Sequence, residues 1–489
     1  MTDEGRSSET GRTEESELLA VRRRKLEALR EAGIDPFPYA YPGVTPVAEA
    51  KAPHEGLQPG EETDVRVRVA GRLHARRGQG KMAFLDLDDR SGRIQLQARR
   101  DVLGEDSFER LLSADLGDLI GAEGTIFRTK RGELSVRVEE WTLLAKSLRP
   151  PPEKHHGLTD TETRLRHREL DLMANEETRQ VFIARAKVVT AMRRFLDAEG
   201  FIEVETPVLQ PIYGGALARP FVTHFNALDR TMYLRIATEL YLKRLIVGGL
   251  ERVYEIGKDF RNEGLSPKHN PEFTMLEWYE AYADWEVVAA RAERLVRAAA
   301  EAVGSDKFSQ PWKRETLIGA IEARTGINVM AHRSLEELKR AMADKGLPIP
   351  DEPNWAALVD HLVSKHVEPT LIEPTLLHDY PVELSPFAKR HRENPELVER
   401  FEAFADGMEF ANAFSELNDP DDQRARFEEQ VRHAAAGDEN APPFDYDYIY
   451  ALEHGMPPTG GIGIGIDRLV MLLTGKRTIR EVVLFPALK

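Results

Sequence analysis

The sequence predicts an α+β protein, with a small β-barrel near the N-terminus and a larger domain that combines helices and strands. Two observations lead to this prediction. Residues 65–144 contain several short segments that alternate apolar and polar side chains, separated by glycine-containing turns, as in strands with one wet face. Residues 149–157 include three consecutive prolines, which form a stiff boundary between this region and a longer segment of mixed helical and alternating pattern.

The composition fits a globular protein of two or three domains, because 489 residues are too many for one core. The absence of cysteine excludes disulfides, thiolate catalysis and Cys-ligated zinc; it fits a reducing compartment, and we expect a cytoplasmic protein. No apolar run approaches the ~18 residues of a membrane span. The net charge of −16 argues against indiscriminate nucleic-acid binding, although a net value hides local patches.

The first 62 residues are predicted to lead into the barrel. Residues 1–17 are acidic and polar, so we expect them to be disordered and to be neither a signal nor a transit peptide. Residues 18–62 are expected to form a helix and an extension, with apolar side chains at helical spacing from Leu18 and a stop at Gly33. The basic run 22–25 is either a solvated helix face or an RNA contact.

Residues 63–147 are predicted to form the barrel. Between residues 65 and 100, ten Lys or Arg side chains face three Asp, a local net charge of +7. Further strands are expected at 119–127 and 133–144. A basic face with an exposed aromatic side chain, Phe84, suits an OB-fold that holds single-stranded nucleic acid. A structural barrel with a basic surface explains this segment equally well.

The larger domain is expected to span residues 179–489, after a linker at 148–178. It opens with an amphipathic helix that begins near Val181 and ends at Gly200. A strand from Phe201 to Glu205 then runs into Thr206 and Pro207. This helix–strand unit is common and by itself indicates no function.

Residues 260–279 carry side chains suited to phosphate and cation binding. Arg261 and Glu263 lie two residues apart, and a polar loop follows at 264–270. A guanidinium offers a planar fork to a phosphate or a carboxylate. From residue 272 the chain alternates, so one strand face carries a carboxylate between aromatic side chains, which suits a cation pocket. An exposed antiparallel sheet face explains this segment about as well. The residues of that face are Phe273, Met275, Glu277 and Tyr279.

The glycines at 461, 463 and 465 clear every side chain from one face of a strand. Such a strip suits a flat ligand lying against the sheet, and a tight helix crossing is the alternative. Arg468, at the start of the next helix, is then positioned to stack over an adenine. The pattern differs from both the dinucleotide-binding fingerprint and the Walker A loop.

Three carboxylates recur at intervals of seven, at Glu402, Glu409 and Glu416. This spacing is compatible with one helix face, but Gly407 and the alternation that follows it favour strands. Carboxylates near triphosphate oxygens bind Mg²⁺, which takes few protein oxygens together with phosphate and water. Without a nucleotide site, the same residues describe a solvated acidic face.

Segments 252–282 and 460–474 resemble motifs 2 and 3 of the class II aminoacyl-tRNA synthetases, and residues 190–210 resemble motif 1. Residues 214–221, 233–240 and 411–419, together with the motif 2 segment, narrow the resemblance to the bacterial lysyl-tRNA synthetases, over residues 18–489. The resemblance implies an OB-fold anticodon-binding domain, a class II catalytic domain in which helices flank an antiparallel sheet, and a homodimer formed through motif 1. The signature elements of class I synthetases are absent from the sequence.

The resemblance also implies the site residues. It places Arg261 and Arg468 in catalysis, Glu416 and Tyr279 on the lysine ε-ammonium, and Glu402 and Glu409 on Mg²⁺. The implied lysine-binding residues are Gly215, Glu239, Arg261, Glu277, Tyr279, Asn412, Phe414 and Glu416. The implied ATP-binding residues are Arg261, Glu263, His269, Asn270, Phe273, Glu402, Glu409, Gly465 and Arg468. The implied anticodon-binding residues are Arg77, Phe84 and Glu133. Lys268 stands where an arginine is more usual in the family.

The implied activity is the ATP-dependent attachment of L-lysine to tRNA(Lys) through lysyl-adenylate, with two to three Mg²⁺ ions accompanying ATP and no membrane partner. Three alternatives remain open. A related enzyme that lysylates a protein lacks the barrel, and one that modifies lipid carries membrane spans, whereas this sequence predicts the barrel and contains no apolar run long enough for a span. An aspartyl- or asparaginyl-type synthetase shares this architecture, but a site for an anionic side chain requires Arg or Lys where Glu416 stands. A non-catalytic RNA-binding relative is expected to lose the arginines and acids that this sequence retains.

Overall fold

The computed structural model describes residues 3–78, 80–152, 158, 160–435 and 442–488, and within them the side chains of all but 3–16 and 433–435. The chain divides into two compact units, residues 1–158 and 159–489. None of the helices in the described part of the chain is long and apolar enough to cross a membrane.

The first unit is a closed five-stranded barrel with helices around it. Its strands follow the order β1-β2-β3-β5-β4, with β3 and β5 parallel and the other pairs antiparallel. The elements are α1 (Asp3–Glu31), α2 (Val47–Lys51), β1 (Glu62–Arg77), β2 (Met82–Asp88), β3 (Arg93–Arg99), α3 (Arg100–Leu103), α4 (Glu105–Ser113), β4 (Leu119–Arg128) and β5 (Leu134–Ala145). The inward half of each alternating strand forms one apolar core, as the period-two pattern predicts.

Helix α1 differs from its prediction in two ways. It begins at Asp3 and not near Leu18, so residues 3–17, expected to be disordered, continue the helix. Glu and Arg are good helix formers, so a polar segment can extend a helix without an apolar stripe. The second difference lies in the basic run, which the sequence analysis places on a solvated face or on RNA. Its Arg22 is buried and donates hydrogen bonds to the carbonyls of Leu116 and Ser147, both at 3.0 Å. Arg22 therefore anchors α1 to the barrel, whereas Arg23 and Arg24 remain exposed.

The second unit contains most of the helices and a large sheet. Its elements before residue 320 are α5 (Thr161–Arg166), α6 (Arg168–Ala174), α7 (Glu176–Ala198), β6 (Ile202–Glu203), β7 (Leu209–Gln210), β8 (Val222–Phe225), β9 (Arg230–Leu234), α8 (Glu239–Val247), β10 (Arg252–Phe260), β11 (Glu272–Ala281), α9 (Trp285–Glu301), β12 (Lys313–Thr316) and α10 (Leu317–Thr325). Those that follow are α11 (Leu335–Asp344), α12 (Trp355–Leu362), β13 (Thr375–Pro381), β14 (Leu397–Ala405), β15 (Met408–Ser415), α13 (Pro420–Ala435), α14 (Tyr446–Glu453), β16 (Thr459–Gly465), α15 (Ile466–Thr474) and α16 (Ile479–Val482).

The eight-stranded sheet has the order β12-β13-β14-β15-β16-β11-β10-β6, and its five inner pairings are antiparallel. One face packs against helices α7, α9 and α15 through the largest apolar core of the unit. Residues of β16 show the alternation: Ile462 and Ile464 are buried in this core, while the glycines between them face the other side. The sheet thus leaves one face available for a site. Strands β7, β9 and β8 form a separate small sheet.

The predicted linker at 148–178 is structured over much of its length. Helices α5 and α6 belong to the second unit, and residues 153–157 lie outside the described residues. Arg168 and Asp171 are buried and joined at 2.7 Å, and Arg168 also donates to the carbonyl of Leu484 at 2.9 Å. These polar side chains fold inward against the C-terminal segment, which a sequence pattern of exposed charge does not reveal.

Other predicted elements agree with the structure. Helix α7 ends at Ala198, next to the predicted stop at Gly200, which has a φ of +80°. The strand after it is shorter than expected, with only Ile202 and Glu203 in the ladder. The acidic segment forms strands β14 and β15 and not a helix, and its Gly407 lies in the turn between them.

Candidate active site

The open face of the sheet brings together side chains that are distant in sequence. In the antiparallel register, Asn412 on β15 lies opposite Gly463 on β16, which lies opposite Glu277 on β11. The neighbouring row runs from Phe414 through Gly461 to Tyr279. Because directly opposite residues share a face of the sheet, the two rows collect carboxyl, amide and aromatic groups around a strand that has no side chains there.

These rows form the floor of a cavity of about 240 Å³. Its wall includes every catalytic-domain residue that the sequence analysis assigns to lysine or ATP, except Glu402. These residues are Gly215, Glu239, Arg261, Glu263, His269, Asn270, Phe273, Glu277, Tyr279, Glu409, Asn412, Phe414, Glu416, Gly465 and Arg468. The structure therefore assembles the predicted residues into one site, while their individual roles remain predictions.

The bare strand β16 leaves room beside the sheet. A Cβ atom built on Gly461 would overlap both Glu416 Oε1 and the ring of Tyr279. A Cβ on Gly463 would meet only the flexible end of Met275, at 2.9 Å from its Cε. Gly461 is therefore the position on this strand where the site least tolerates a side chain.

The loop between β10 and β11 covers one side of the cavity. The Arg261 guanidinium lies over the ring of Phe273, 5.2 Å from its centroid, and its Nε donates to the carbonyl of Ile236 at 3.3 Å. Lys268 Nζ donates to the carbonyl of Gly407 at 2.8 Å, in the turn between β14 and β15. Arg261 thus presents a charged, planar group to the cavity, and Lys268 ties the loop to the neighbouring hairpin.

Arg468 also lies on the cavity wall, in the first turn of α15. It donates to Glu409 Oε2 at 2.8 Å, and its Nη2 lies 3.1 Å from His269 Nε2. Because arginine can only donate, His269 Nε2 must accept, and its Nδ1 then donates to Ser266 Oγ at 2.7 Å. Burial, together with the charge of Arg468, lowers the pKa of His269, which favours this neutral form. The resemblance places both Phe273 and Arg468 on adenine, but here Phe273 stacks with Arg261.

The inner end of the cavity is rich in buried carboxyl groups. Tyr279 donates its hydroxyl to Glu277 Oε2 at 3.0 Å. Burial, together with the nearby carboxylates of Asp259 and Glu239, raises the pKa of Glu277 to about 8. Burial also raises the pKa values of Glu239 and Glu416. A cation entering this end would meet several groups whose ionised form it stabilises.

The sequence analysis missed a lysine in this region. Lys243 on α8 is fully buried and forms ion pairs with Glu239, at 2.5 Å, and with Glu416. Glu239 and Lys243 are four residues apart on one helix, a spacing that places both side chains on the same face. That spacing was the available signal, whereas the pairing with Glu416 depends on the tertiary fold.

Glu402 lies beside the cavity and not on its wall. It stands opposite Asn412 on the adjacent strand, so it shares the site's face of the sheet but lies one strand farther out. Tyr380 donates its hydroxyl to Glu402 at 2.8 Å, and Arg400 bridges Glu402, at 2.5 Å, and Asn412, at 3.0 Å. Arg400, two residues from Glu402 on one strand, is a second site-adjacent residue that the sequence analysis missed.

The carboxylates in and beside the cavity are compatible with a metal that needs few protein ligands. No group of three or more His, Cys, Asp or Glu side chains able to hold a metal occurs among the residues that the structure describes. Mg²⁺ needs fewer protein ligands, because it binds through one or two carboxylates plus substrate phosphates and water. Burial raises the pKa of Glu402 to about 7, and the charge of Glu409 contributes to the rise. Two mutually repelling carboxylates beside the cavity fit a divalent cation that arrives with a triphosphate.

Two segments of the chain match known protein families. Residues 160–489 match the model of the class II tRNA synthetases (D, K and N), and residues 67–144 match that of the OB-fold nucleic acid binding domain. The chain belongs to the class II tRNA synthetases. Among similar proteins, the lysine--tRNA ligase of Moorella thermoacetica is 51% identical over 485 residues, which cover 97% of this chain and 98% of the relative. Those of Carboxydothermus hydrogenoformans and Staphylococcus aureus MRSA252 are 49% and 48% identical over 97% of this chain and 98% and 99% of the relatives.

The barrel of this class II synthetase carries the predicted anticodon residues on its outer surface. Phe84 is half-buried and alternates with the core residues Ala83 and Leu85, so its ring faces outward. In register, Arg77 on β1, Phe84 on β2, Gln97 on β3 and Arg137 on β5 form one row across four strands. We call these four residues the barrel row. Its aromatic ring, amide and two guanidiniums can stack on a base and bind nucleic acid.

Glu133, the third predicted anticodon residue, is exposed and adjoins the first residue of β5. Ser135, two residues later, lies opposite Gln95 on β3 and donates its hydroxyl to Gln95 at 2.9 Å. Glu133 therefore lies at the end of the strand that contributes Arg137 to the barrel row.

The basic character of the segment 65–100 is lower than the sequence count indicates. Carboxylates from outside the segment pair with its arginines: Glu139 with Arg66, at 2.9 Å, and Glu123 with Arg68, at 3.1 Å. Arg77 is held in a two-pronged pair with Asp86, at 2.8 and 2.9 Å, yet more than half of its side chain remains exposed. The local charge is therefore concentrated in a few accessible groups and does not spread over a uniform patch.

Proposed function

We propose that this chain is a lysine--tRNA ligase, which uses ATP to attach L-lysine to tRNA(Lys) through a lysyl-adenylate. Relatives of that name share 48–51% of their residues with it over nearly its whole length. One feature of the cavity carries the choice of lysine. Its inner end contains Glu416, whose Oε1 is buried, lies against the bare face of Gly461 and has no hydrogen-bond partner among the described residues. A buried acceptor atom without a partner needs a hydrogen-bond donor, which the ammonium group of a lysine substrate supplies.

In this proposal, Glu416 and Tyr279 hold the ε-ammonium of lysine, with Glu277 and Phe414 beside them. Glu239 and the carbonyl of Gly215 hold the α-amino group. Both residues lie on the cavity wall, and Gly215 has a φ of +84°, which favours glycine there. Arg261 and Asn412 then orient the carboxylate toward the nucleotide.

ATP occupies the other half of the cavity. Arg261 is assigned to the α-phosphate, Arg468 and Phe273 to adenine, and Glu263 to the adenine amino group. His269 is assigned to the β- and γ-phosphates, and Asn270 and Gly465 complete this half. The presence of both Arg261 and Arg468 on the wall of one cavity supports the binding of a triphosphate there.

Glu402 and Glu409 are proposed to hold Mg²⁺ that accompanies ATP. The ion would neutralise charge on the triphosphate oxygens and assist the departure of pyrophosphate. Arg400 donates to Glu402 and keeps its carboxylate oriented. Arg468 donates to Glu409 in the same way.

The chemistry proceeds in two steps. The carboxylate oxygen of lysine attacks the α-phosphorus of ATP in line, the bond to the bridging oxygen breaks, and pyrophosphate leaves. The 3′-hydroxyl of the terminal ribose of tRNA then attacks the acyl carbon, loses its proton, and AMP leaves. Neither step requires a protein nucleophile, so Arg261 and Arg468 act by positioning and by neutralising charge.

Recognition of the tRNA is assigned to the barrel, where Phe84 stacks on an anticodon base and Arg77 and Glu133 contact its neighbours. Support comes from the outward ring of Phe84 and from the match of residues 67–144 to nucleic-acid-binding OB-folds.

Two further parts of the proposal are a homodimer and a cytoplasmic location. Exposed apolar side chains near motif 1 support the dimer: Ile202, Val208, Leu209, Val222, Phe225 and Leu228. Cell fractionation would test the location.

The family model also covers synthetases for aspartate and asparagine. An aspartate side chain would need a cation at the inner end of the cavity. The cation there, Lys243, already has two carboxylate partners, Glu239 and Glu416. A non-catalytic RNA-binding protein is the other alternative, and the assembled cavity with both arginines argues against it.

ATP–pyrophosphate exchange measured with each of the twenty amino acids tests the proposal. We expect exchange with lysine that depends on Mg²⁺. Robust exchange with aspartate or asparagine and none with lysine would identify a different synthetase. Absence of exchange with every amino acid, from a folded protein, would favour the non-catalytic alternative.

A further inference from the structure

Lys243 occupies an unusual environment beside the proposed lysine-binding end of the cavity. Its side chain is fully buried, with Nζ paired to Glu239 Oε1 at 2.5 Å and to Glu416 Oε2. Three aromatic rings surround the ammonium group. Their centroids lie 5.4–5.8 Å from Nζ and belong to Phe414, Phe387 and Tyr279. This cage of rings and carboxylates has the chemistry of an ammonium-binding site, but its occupant is a residue of the chain itself.

Lys243 uses only one oxygen of Glu416. The ion pair is made by Oε2, whereas Oε1 points to the side on which a Cβ of Gly461 would overlap it. Glu416 also lies on the cavity wall, and Lys243 does not. The carboxylate is thus shared between an internal ammonium on one side and the cavity on the other.

A purely structural ion pair does not explain this arrangement well. Burying charges costs solvation, and an internal ion pair often stabilises a fold no better than apolar side chains of the same size. Here the cation lies between two carboxylates that both belong to the proposed lysine-binding site. Removing Lys243 would leave Glu239 and Glu416 facing one another in a buried space, where each disfavours the ionised form of the other.

We propose that Lys243 is a positioning residue for substrate binding: it fixes Glu416 through Oε2 and offsets the charge of Glu239, so that Glu416 Oε1 remains available to one ammonium group of the substrate. This inference rests on the proposed lysine-binding role of Glu416. The cavity then selects lysine by charge count as well as by shape. Three carboxyl groups contribute negative charge, those of Glu239, Glu277 and Glu416. The cations Lys243 and Arg261 offset two of these charges. The net positive charge of lysine matches the remaining negative charge.

The pH behaviour follows from the groups around Glu416. Burial raises the pKa of Glu416, Lys243 opposes that rise, and Glu239 and Glu277 add to it. Loss of Lys243 should therefore raise this pKa further, so that Glu416 binds a proton at pH values where the wild-type carboxylate still accepts lysine. The titratable and charged groups that face it are Glu239 and Lys243 on α8, Glu277 and Tyr279 on β11, and Tyr448 on α14.

Lys243→Met tests the inference, because methionine is similar in length and uncharged. The measurement is ATP–pyrophosphate exchange of the full-length enzyme, with KM for lysine and for ATP determined across a pH series. We expect KM for lysine to rise about 10- to 100-fold near neutral pH, the loss that follows removal of one charge-assisted hydrogen bond. The ratio of variant to wild-type KM should fall as pH rises, while KM for ATP and kcat at saturating lysine change little.

Lys146→Met is the matched control. Lys146 is also buried between two carboxylates, Asp115 at 2.7 Å and Asp118 at 2.8 Å, but it lies in the barrel. This variant should lose thermal stability and keep the wild-type KM for lysine. If Lys243→Met does not fold, Lys243→Gln, which keeps hydrogen-bond donors without the charge, takes its place under the same criteria.

The results distinguish the positioning role of Lys243 from the lysine-binding role of Glu416. An unchanged KM for lysine in the Lys243 variant, or a rise that is independent of pH, would overturn the positioning role and leave a structural ion pair. Glu416→Gln is measured in parallel. If that variant activates lysine normally, the proposed lysine site itself is wrong. If it fails to activate lysine while Lys243→Met behaves like wild type, only the role of Lys243 is rejected.

Discussion

Glu416 is the residue on which the proposed substrate preference depends most directly. In Glu416→Gln the shape is kept and the charge is lost. Leaving one charge of a buried pair without its partner costs roughly 3–5 kcal/mol, so lysine activation should fall by about two to three orders of magnitude. ATP affinity should be retained, because the groups assigned to ATP, such as Arg261 and Arg468, are unchanged. Exchange kinetics give both values, and near wild-type activation of lysine would show that the ε-ammonium is held elsewhere.

Glu277 supplies a prediction about pH. Its pKa lies at about 8, since burial raises it and the neighbouring carboxylates add to the effect. Below that value the carboxyl group is mostly protonated, whereas a bound cation favours the carboxylate. Lysine binding at neutral pH should therefore release a proton, and KM for lysine should fall as pH rises from about 7 to about 9. The exchange assay over this range tests it; Glu277→Gln should lose much of the dependence, and a flat wild-type profile would contradict it.

At the residue scale, the sequence predicts which side chains share a face better than it predicts their partners. Alternation along β11 places Phe273, Glu277 and Tyr279 together, and the cavity contains all three. The sequence does not predict Lys243 as a site residue, because its partner Glu416 lies 173 positions away and only the fold brings the two side chains into contact. Arg400 is close in sequence to its partners Glu402 and Asn412, but the bond to Asn412 depends on the register of β14 and β15, which the sequence pattern does not fix.

Strand β16 is the element whose sequence pattern carries most information. We predict that Gly461→Ala raises KM for lysine strongly, because the added Cβ would overlap Glu416 Oε1 and the Tyr279 ring. Gly463→Ala is the control on the same strand, since its Cβ meets only the mobile end of Met275 at 2.9 Å. Parallel exchange assays would decide. Equal effects of the two substitutions would mean that the strip is required for packing of the sheet and not for clearance at Glu416.

The barrel row provides a second prediction at this scale. Phe84→Ala should weaken charging of tRNA(Lys) and leave lysyl-adenylate formation nearly normal, because a lost base stack costs roughly 1–3 kcal/mol and the barrel has its own core. Tyr39→Ala is a suitable control, since Tyr39 is a fully exposed aromatic residue of the same unit outside the barrel row. Aminoacylation and exchange are measured on each variant. Equal losses in both assays for Phe84→Ala would indicate that the ring is needed for folding.

Secondary structure was predictable where one periodicity persists and was not where polar residues turn inward. The alternating strands of the barrel and the apolar stripe of α7 follow directly from the sequence. The sequence predicts a linker where helices α5 and α6 form, because Arg168 and Asp171 resemble exposed charges and their pairing depends on the fold. The burial of Arg22 on α1 is likewise not evident from the sequence, since its carbonyl partners lie about a hundred residues away.

On the scale of the whole molecule, the predicted architecture of a barrel followed by a larger domain of helices and strands is confirmed, and each unit has its own apolar core. The oligomeric state is the main open expectation. We predict a particle of about twice 55.3 kDa in light scattering, formed through the apolar side chains near motif 1. Val222→Asp should shift it toward the monomer, and Val65→Asp, at an exposed valine of the barrel, should not. A wild-type monomer would contradict the prediction.

The position of β16 has a consequence for how the protein is made. This strand lies in the middle of the large sheet, between β15 and β11, yet its residues 459–465 follow all the other strands in sequence. During synthesis, β11 and β15 therefore remain without their shared neighbour until these residues have left the ribosome. Unpaired strand edges promote association with other chains. The nascent enzyme should accordingly depend on chaperones late in translation and acquire activity only when the last strand is inserted.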